Sequence, residues 1–274
     1  MTLMMTTATE LSQAIERLYE VFERYRLRGP VDGCPCCVTD EMKAAIVAKP
    51  LRALAHGDLG RYSMKAMTTW GDVDHYRHFL PRLCELITNL ETLPKVENAA
   101  ECNNSASEPG FDYLCMKLES AQWRDWPAEQ SDALRSFFVA LWRASLLENS
   151  PELSAASPTL MEMYAGLQLC KFDFTPFVEL CVPMLTTASL DFLKDIVVDL
   201  TSFTAKRAIE GTSASYWHRV RLERIGVLEI LLADQTTARL EAEFFSEASS
   251  ADKSDLSDVI AGIERLRFMV TNAT

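Results

Sequence analysis

Glycine and proline are scarce, 10 and 11 in 274 residues, and the long segments between them are rich in Leu, Ala and Glu. Turn-rich sheet architectures need more of both, so helix is favoured over strand. No run of roughly 18 apolar residues occurs, which excludes an ordinary membrane-spanning helix. The start, Met1-Thr2-Leu3-Met4-Met5-Thr6, lacks a basic region followed by an apolar run, so no signal peptide is expected. Four motifs are missing: G-x-x-x-x-G-K, G-x-G-x-x-G, H-E-x-x-H and G-x-S-x-G. Nucleotide binding, zinc proteolysis and serine hydrolysis therefore lack support. Basic excess is absent too. The net charge is −12, so no nucleic-acid partner is expected.

The acidity is uneven. Residues 1–92 hold 11 basic and 12 acidic side chains, a balance of −1, whereas residues 93–274 hold 16 and 27, a balance of −11. Such a surface suits a basic protein partner, and the plain alternative is that the net charge merely maintains solubility. Hydrophobic residues at 48% and charged residues at 24% fit a globular chain of one long domain or two ordinary ones. Without a secretion signal, the eight cysteines read as thiols, thiolates or metal ligands rather than a disulfide framework, in a cytoplasmic protein.

Apolar periodicity places a helix over 9–27, with Leu11, Ile15, Leu18, Tyr19, Phe22 and Tyr25 on one stripe and Gly29-Pro30 ending it. Thr39 or Asp40 caps a short helix through Ala48, and another covers Leu59 to Met67. Asp72 caps the next, from Val73 to about Leu90, with a kink or break expected at Pro81. The domain organisation expected is a helical segment over 1–92, a linker over 93–110 and an array of helix pairs over 111–274. Those pairs fall at about 111–122 and 127–148, 158–170 and 175–187, 188–209 and 213–233, and 236–246 and 253–270. The fold expected is all-α: paired antiparallel helices in a HEAT-like solenoid or an irregular helical bundle.

Gly29 to Leu86 concentrates the chemistry, with three of the eight cysteines and three of the four histidines. Cys34, Cys36 and Cys37 offer thiolates for zinc, and His75 and His78 lie three apart on one helix face. Against this, C-x-C-C does not match the usual ligand spacing of two to four residues, and adjacent Cys36 and Cys37 tend to point apart. The plain alternative is that these thiols pack a tight loop as small hydrophobes. A third reading is a redox-active thiol near a helix start. Cys37, His56, His75 or His78, and Asp72 or Asp74 supply the residue types of a cysteine nucleophile site without a signature that joins them, so no enzyme is expected. Capping accounts for the two aspartates. Cys84, Cys115, Cys170 and Cys181 lie in apolar helical patterns and are expected buried, whereas Cys102 sits in a polar loop. Trp70, Asp72, Asp74, Trp217 and Arg221 are the candidates for a partner surface, Trp and Arg being enriched at interfaces.

The run Gly33-Cys34-Pro35-Cys36-Cys37-Val38, with Pro50-Leu51, Tyr62, Thr68-Thr69-Trp70-Gly71-Asp72 and His78-Phe79-Leu80-Pro81-Arg82, resembles a group of uncharacterised bacterial proteins. The resemblance is confined to residues near 25–90. It implies a bacterial cytoplasmic origin and carries over no activity and no functional residue. The acidic helical remainder is similar in character to the small proteins with which bacteria neutralise toxins. The leading expectation is thus a non-catalytic protein-binding module, of immunity or antitoxin type, for a basic partner. The alternative is a metal- or thiol-dependent enzyme or redox sensor built on the Cys34–Cys37 loop with His75 and His78.

Overall fold

A computed structural model describes residues 2–88, 110–147, 153, 157–210, 226–247, 249 and 251–272, with backbone alone over 2–9 and 203–210. Among these residues the secondary structure is helical, with no strand beyond two isolated bridges at the Cys loop. The all-α expectation holds. Residues 93–109, expected as a linker with Cys102, lie outside the described residues, as do residues 213–225 with Trp217 and Arg221.

The chain divides into two compact units, the first of residues 1–144 and 149–171, the second of 145–148 and 172–274. In the first unit, α1 (Thr2–Phe22) is followed by α2 (Asp40–Ala45), α3 (His56–Lys65) and α4 (Val73–Thr88). Then come α5 (Phe111–Ser120), α6 (Ala128–Leu146, whose end passes into the second unit) and α7 (Leu160–Leu169). The expected stripe of α1 is real: Leu11, Ile15, Leu18 and Phe22 are at most 2% exposed, where α1 packs on α4. The helix ends at Phe22, five residues before the expected boundary, and Tyr25 follows in a turn closed by its N–H to the Phe22 carbonyl at 3.0 Å.

α4 runs unbroken through Pro81, so the expected break is absent. Proline removes one amide donor and strains the preceding turn. Here Phe79, Leu80, Leu83, Cys84 and Leu86 around it are buried to within 1% of completely. Burial of that order stabilises by about 1.5–3 kcal/mol per large side chain, enough to carry the helix across the defect. α5 packs on α7, where Gly166 admits the Phe111 ring, and α5 also meets α3 and α4. Two hydrogen bonds fasten that junction. Lys117 Nζ donates to the Ala66 carbonyl at 2.8 Å, and Tyr76 OH to the Leu114 carbonyl at 3.3 Å.

The second unit contains α8 (Thr175–Met184), α9 (Thr187–Glu210), α10 (described over 226–232), α11 (Asp234–Phe245) and α12 (Lys253–Asn272). α9 and α12 form its main contact. Leu256, Val259, Ile263 and Leu266 form one apolar face and are fully buried, whereas Val270, which continues the same i, i+4, i+7, i+11 spacing from Val259, is 36% exposed. Lys194 joins the two helices through Asp255 at 2.7 Å.

Candidate metal centre

The Cys loop is held from both sides. Pro35 fixes the second position of a turn, which Cys37 N–H closes onto the Cys34 carbonyl at 2.9 Å. Val38 N–H shares that acceptor at 2.9 Å. The loop then lies against the corner between α3 and α4. Cys34 N–H donates to the Thr69 carbonyl at 2.8 Å, and Gly71 N–H to the Asp32 carbonyl at 2.7 Å. Gly71 occupies the left-handed region at φ +69°, and a Cβ there would sit 2.9 Å from Val31 Cγ1 and 3.0 Å from His75 Cβ. Only glycine allows this approach. Lys65, the last residue of α3, donates from Nζ to the Cys37 carbonyl at 2.9 Å. Beyond the turn, Thr39 caps α2 as expected, its hydroxyl accepting from Met42 N–H at 3.3 Å.

This framework gathers three free thiols. Cys34 and Cys36 Sγ are 2.8 Å apart, Cys36 and Cys37 Sγ 3.6 Å, and all three lie within 4.8 Å of one another. Four sulfurs at about 2.3 Å around a tetrahedral zinc ion are spaced by about 3.8 Å, which the Cys36–Cys37 separation approaches and the Cys34–Cys36 separation undercuts by about 1 Å. Cys36 is exposed, and Cys34 and Cys37 are half-buried. The Cys36 thiol and the backbone amides of Cys36 and Cys37 donate toward Cys34 Sγ, which holds the Cys34 pKa below that of an ordinary thiol. The Cys34 and Cys37 sulfurs in turn push Cys36 up to about 11. The loop thus favours charge on Cys34 and disfavours it on Cys36.

The two histidines stand apart from this group. His75 Nδ1–H donates to the Asp72 carboxylate at 2.7 Å. Burial pushes the Asp72 carboxyl up, but the His75 amide and ring and the Asp74 amide outweigh it and hold the pKa low. Asp72 accepts from the His75 amide at 2.9 Å, the expected N-terminal role. His78 is turned the other way, its Nδ1–H donating to the Tyr25 carbonyl at 2.7 Å. Burial lowers the His78 pKa despite that bond. Asp74 is exposed beside Arg77, which it meets at 3.2 Å.

Trp70 is not a surface residue. It is 2% exposed and packs edge-on against Tyr62 with centroids 5.5 Å apart. Its position beside Gly71 and Asp72 reads as a loop tip in sequence. The paired backbone of Gly33 and Trp70 instead folds the ring into the core. Cys84, Cys115, Cys170 and Cys181 are fully buried, as expected.

One signal for this site lies in the sequence itself. Cys34-Pro35-Cys36-Cys37 reads as C-x-C-C, yet Cys34 and Cys37 are also a C-x-x-C pair, the shortest of the usual zinc-ligand spacings. Lys65 and Thr69, which position the loop, have no signature in sequence at all. No family model, curated protein or solved structure matches the chain.

Proposed function

We propose that the protein binds a thiophilic cation, zinc first, through Cys34, Cys36 and Cys37. The observation that carries this reading is the convergence of three free Sγ atoms within 4.8 Å on a loop pinned by Cys34–Thr69 and Lys65–Cys37 hydrogen bonds. Thiolates favour zinc and other soft ions over magnesium or calcium. A reducing cytoplasm, the expected location, keeps such thiols available. The fourth position of a tetrahedral ion falls to a ligand beyond these three. Titration of the reduced protein with zinc against a chromophoric chelator tests the reading. It calls for one tightly held ion per chain, lost in Cys34→Ser and Cys37→Ser; a wild-type chain that leaves all zinc with the chelator contradicts it.

A protein-binding role stands beside this, favoured by large apolar side chains on the second unit. Val198 is 65% exposed, Phe245 76% and Phe268 70%. A complex of the full chain with a basic protein that weakens steeply with salt supports that role. No described helix is long and apolar enough to cross a membrane.

A further inference from the structure

The three thiols also meet the geometric demands of a disulfide. The turn closed by Cys37 N–H on the Cys34 carbonyl at 2.9 Å is a β-turn, whose end Cα atoms lie within about 7 Å. Disulfides span Cα separations of about 4.4–6.8 Å, so the Cys34–Cys37 pair is in range without refolding. None of the three is fully buried, whereas Cys84, Cys115, Cys170 and Cys181 are sealed from solutes. Cys36 Sγ lies 2.8 Å from Cys34 Sγ, but Cys37, across the turn, gives Cys34 the C-x-x-C spacing that redox disulfides use.

We propose that Cys34 is an oxidation site for hydroperoxides, that Cys37 closes a disulfide onto it, and that a metal ion held by the loop is thereby released. The last clause rests on the metal-binding reading; the first two do not. In the first step the Cys34 thiolate attacks a peroxide oxygen. An S–O bond forms, the O–O bond breaks, and the peroxide, reduced by two electrons, leaves as water or alcohol after taking up a proton. In the second, the Cys37 thiolate attacks the Cys34 sulfur. The S–S bond forms, the S–O bond breaks, and hydroxide leaves as water with the proton that Cys37 gave up. Two of three thiolates are consumed, and Cys36 alone does not hold an ion.

The experiment treats the full chain with excess hydrogen peroxide, metal-free in one arm and zinc-loaded in the other. Remaining thiols are then alkylated with iodoacetamide, and the tryptic peptide Gly29–Lys43, which carries all three cysteines, is sequenced by mass spectrometry. The expected product in both arms lacks two hydrogens and carries one carbamidomethyl group, on Cys36. The zinc-loaded arm releases one ion per disulfide to a colorimetric indicator. Cys37→Ser, checked for wild-type helicity by circular dichroism, gives no disulfide. A peptide still triply alkylated in the metal-free arm overturns the proposal, as does a disulfide formed in full yield by Cys37→Ser. If zinc never binds while the metal-free disulfide forms, only the release step and the metal reading fall. If zinc binds and the metal-free peptide stays reduced, this proposal falls alone.

Discussion

Lys65 Nζ donates to the Cys37 carbonyl across 2.9 Å, tying the last turn of α3 to the backbone of the last cysteine in the thiol loop. The bond is charge-assisted and part-buried, and it brings a positive charge to the loop that carries the three thiols. Hydrogen bonds to charged groups contribute about 1.5–3 kcal/mol. Lys65→Met keeps the aliphatic stem and removes the charge and the bond. Its zinc affinity is expected to fall by about tenfold or more, read by chelator competition. An unchanged affinity would show that the loop holds its shape without α3.

Gly71 is the hinge on which the opposite side of the loop rests. Gly71→Ala forces a side chain into a left-handed backbone and against Val31 and His75. The backbone term is about 1–2 kcal/mol and overpacking adds about 1–3, so a loss on the order of 2–4 kcal/mol is expected in urea unfolding. A loss below about 0.5 kcal/mol, the range of ordinary surface substitutions, would contradict the packing described at this corner.

Buried charge gives a third prediction. Arg82 is 4% exposed, with Nε donating to the Leu54 carbonyl at 2.6 Å and NH1 to Glu85 Oε2 at 2.5 Å, where Tyr19 OH also donates at 2.6 Å. The network joins α1, α4 and the segment before α3. Arg82→Met leaves the Glu85 carboxylate with the tyrosine alone. Removing one partner of a buried pair costs about 3–5 kcal/mol, which denaturant unfolding resolves easily. Wild-type stability in this variant would mean the pair is solvated.

His78 makes stability depend on pH. Burial lowers its native pKa below the unfolded value of about 6.5. Between those two values the unfolded chain binds a proton that the native chain does not, so stability falls as pH falls. The contribution is fully present above the unfolded pKa and is lost on descending to the native one. His78→Asn keeps an N–H near the Nδ1 position and removes the titration. The slope of unfolding free energy between pH 7 and about 5 should be shallower in the variant than in the wild type. Equal slopes would place the His78 proton elsewhere.

The helices were largely legible in sequence because core burial follows 3.6-residue periodicity. Leu11, Ile15, Leu18 and Phe22 on α1 and Val259, Ile263 and Leu266 on α12 are buried as their spacing requires. The site was legible only as a list of residue types. The Asp72–His75 bond is a local i, i+3 contact at the start of α4, but nothing local records that His78 turns to the Tyr25 carbonyl. That choice is tertiary, made by a segment more than a helix away. Trp70 misleads for the same reason. A tryptophan among Thr, Gly and Asp looks exposed until Gly33 pairs with its backbone. Pro81 shows the limit of a local rule, since the energy that keeps α4 continuous comes from side chains packed around it.

The central claim is that Cys34, Cys36 and Cys37 hold one ion together, and zinc K-edge X-ray absorption on the loaded full chain tests it most directly. The account predicts about three sulfur scatterers at about 2.3 Å in the first shell, falling to about two in Cys36→Ser. A first shell of nitrogen and oxygen alone, at about 2.0–2.2 Å, would contradict it.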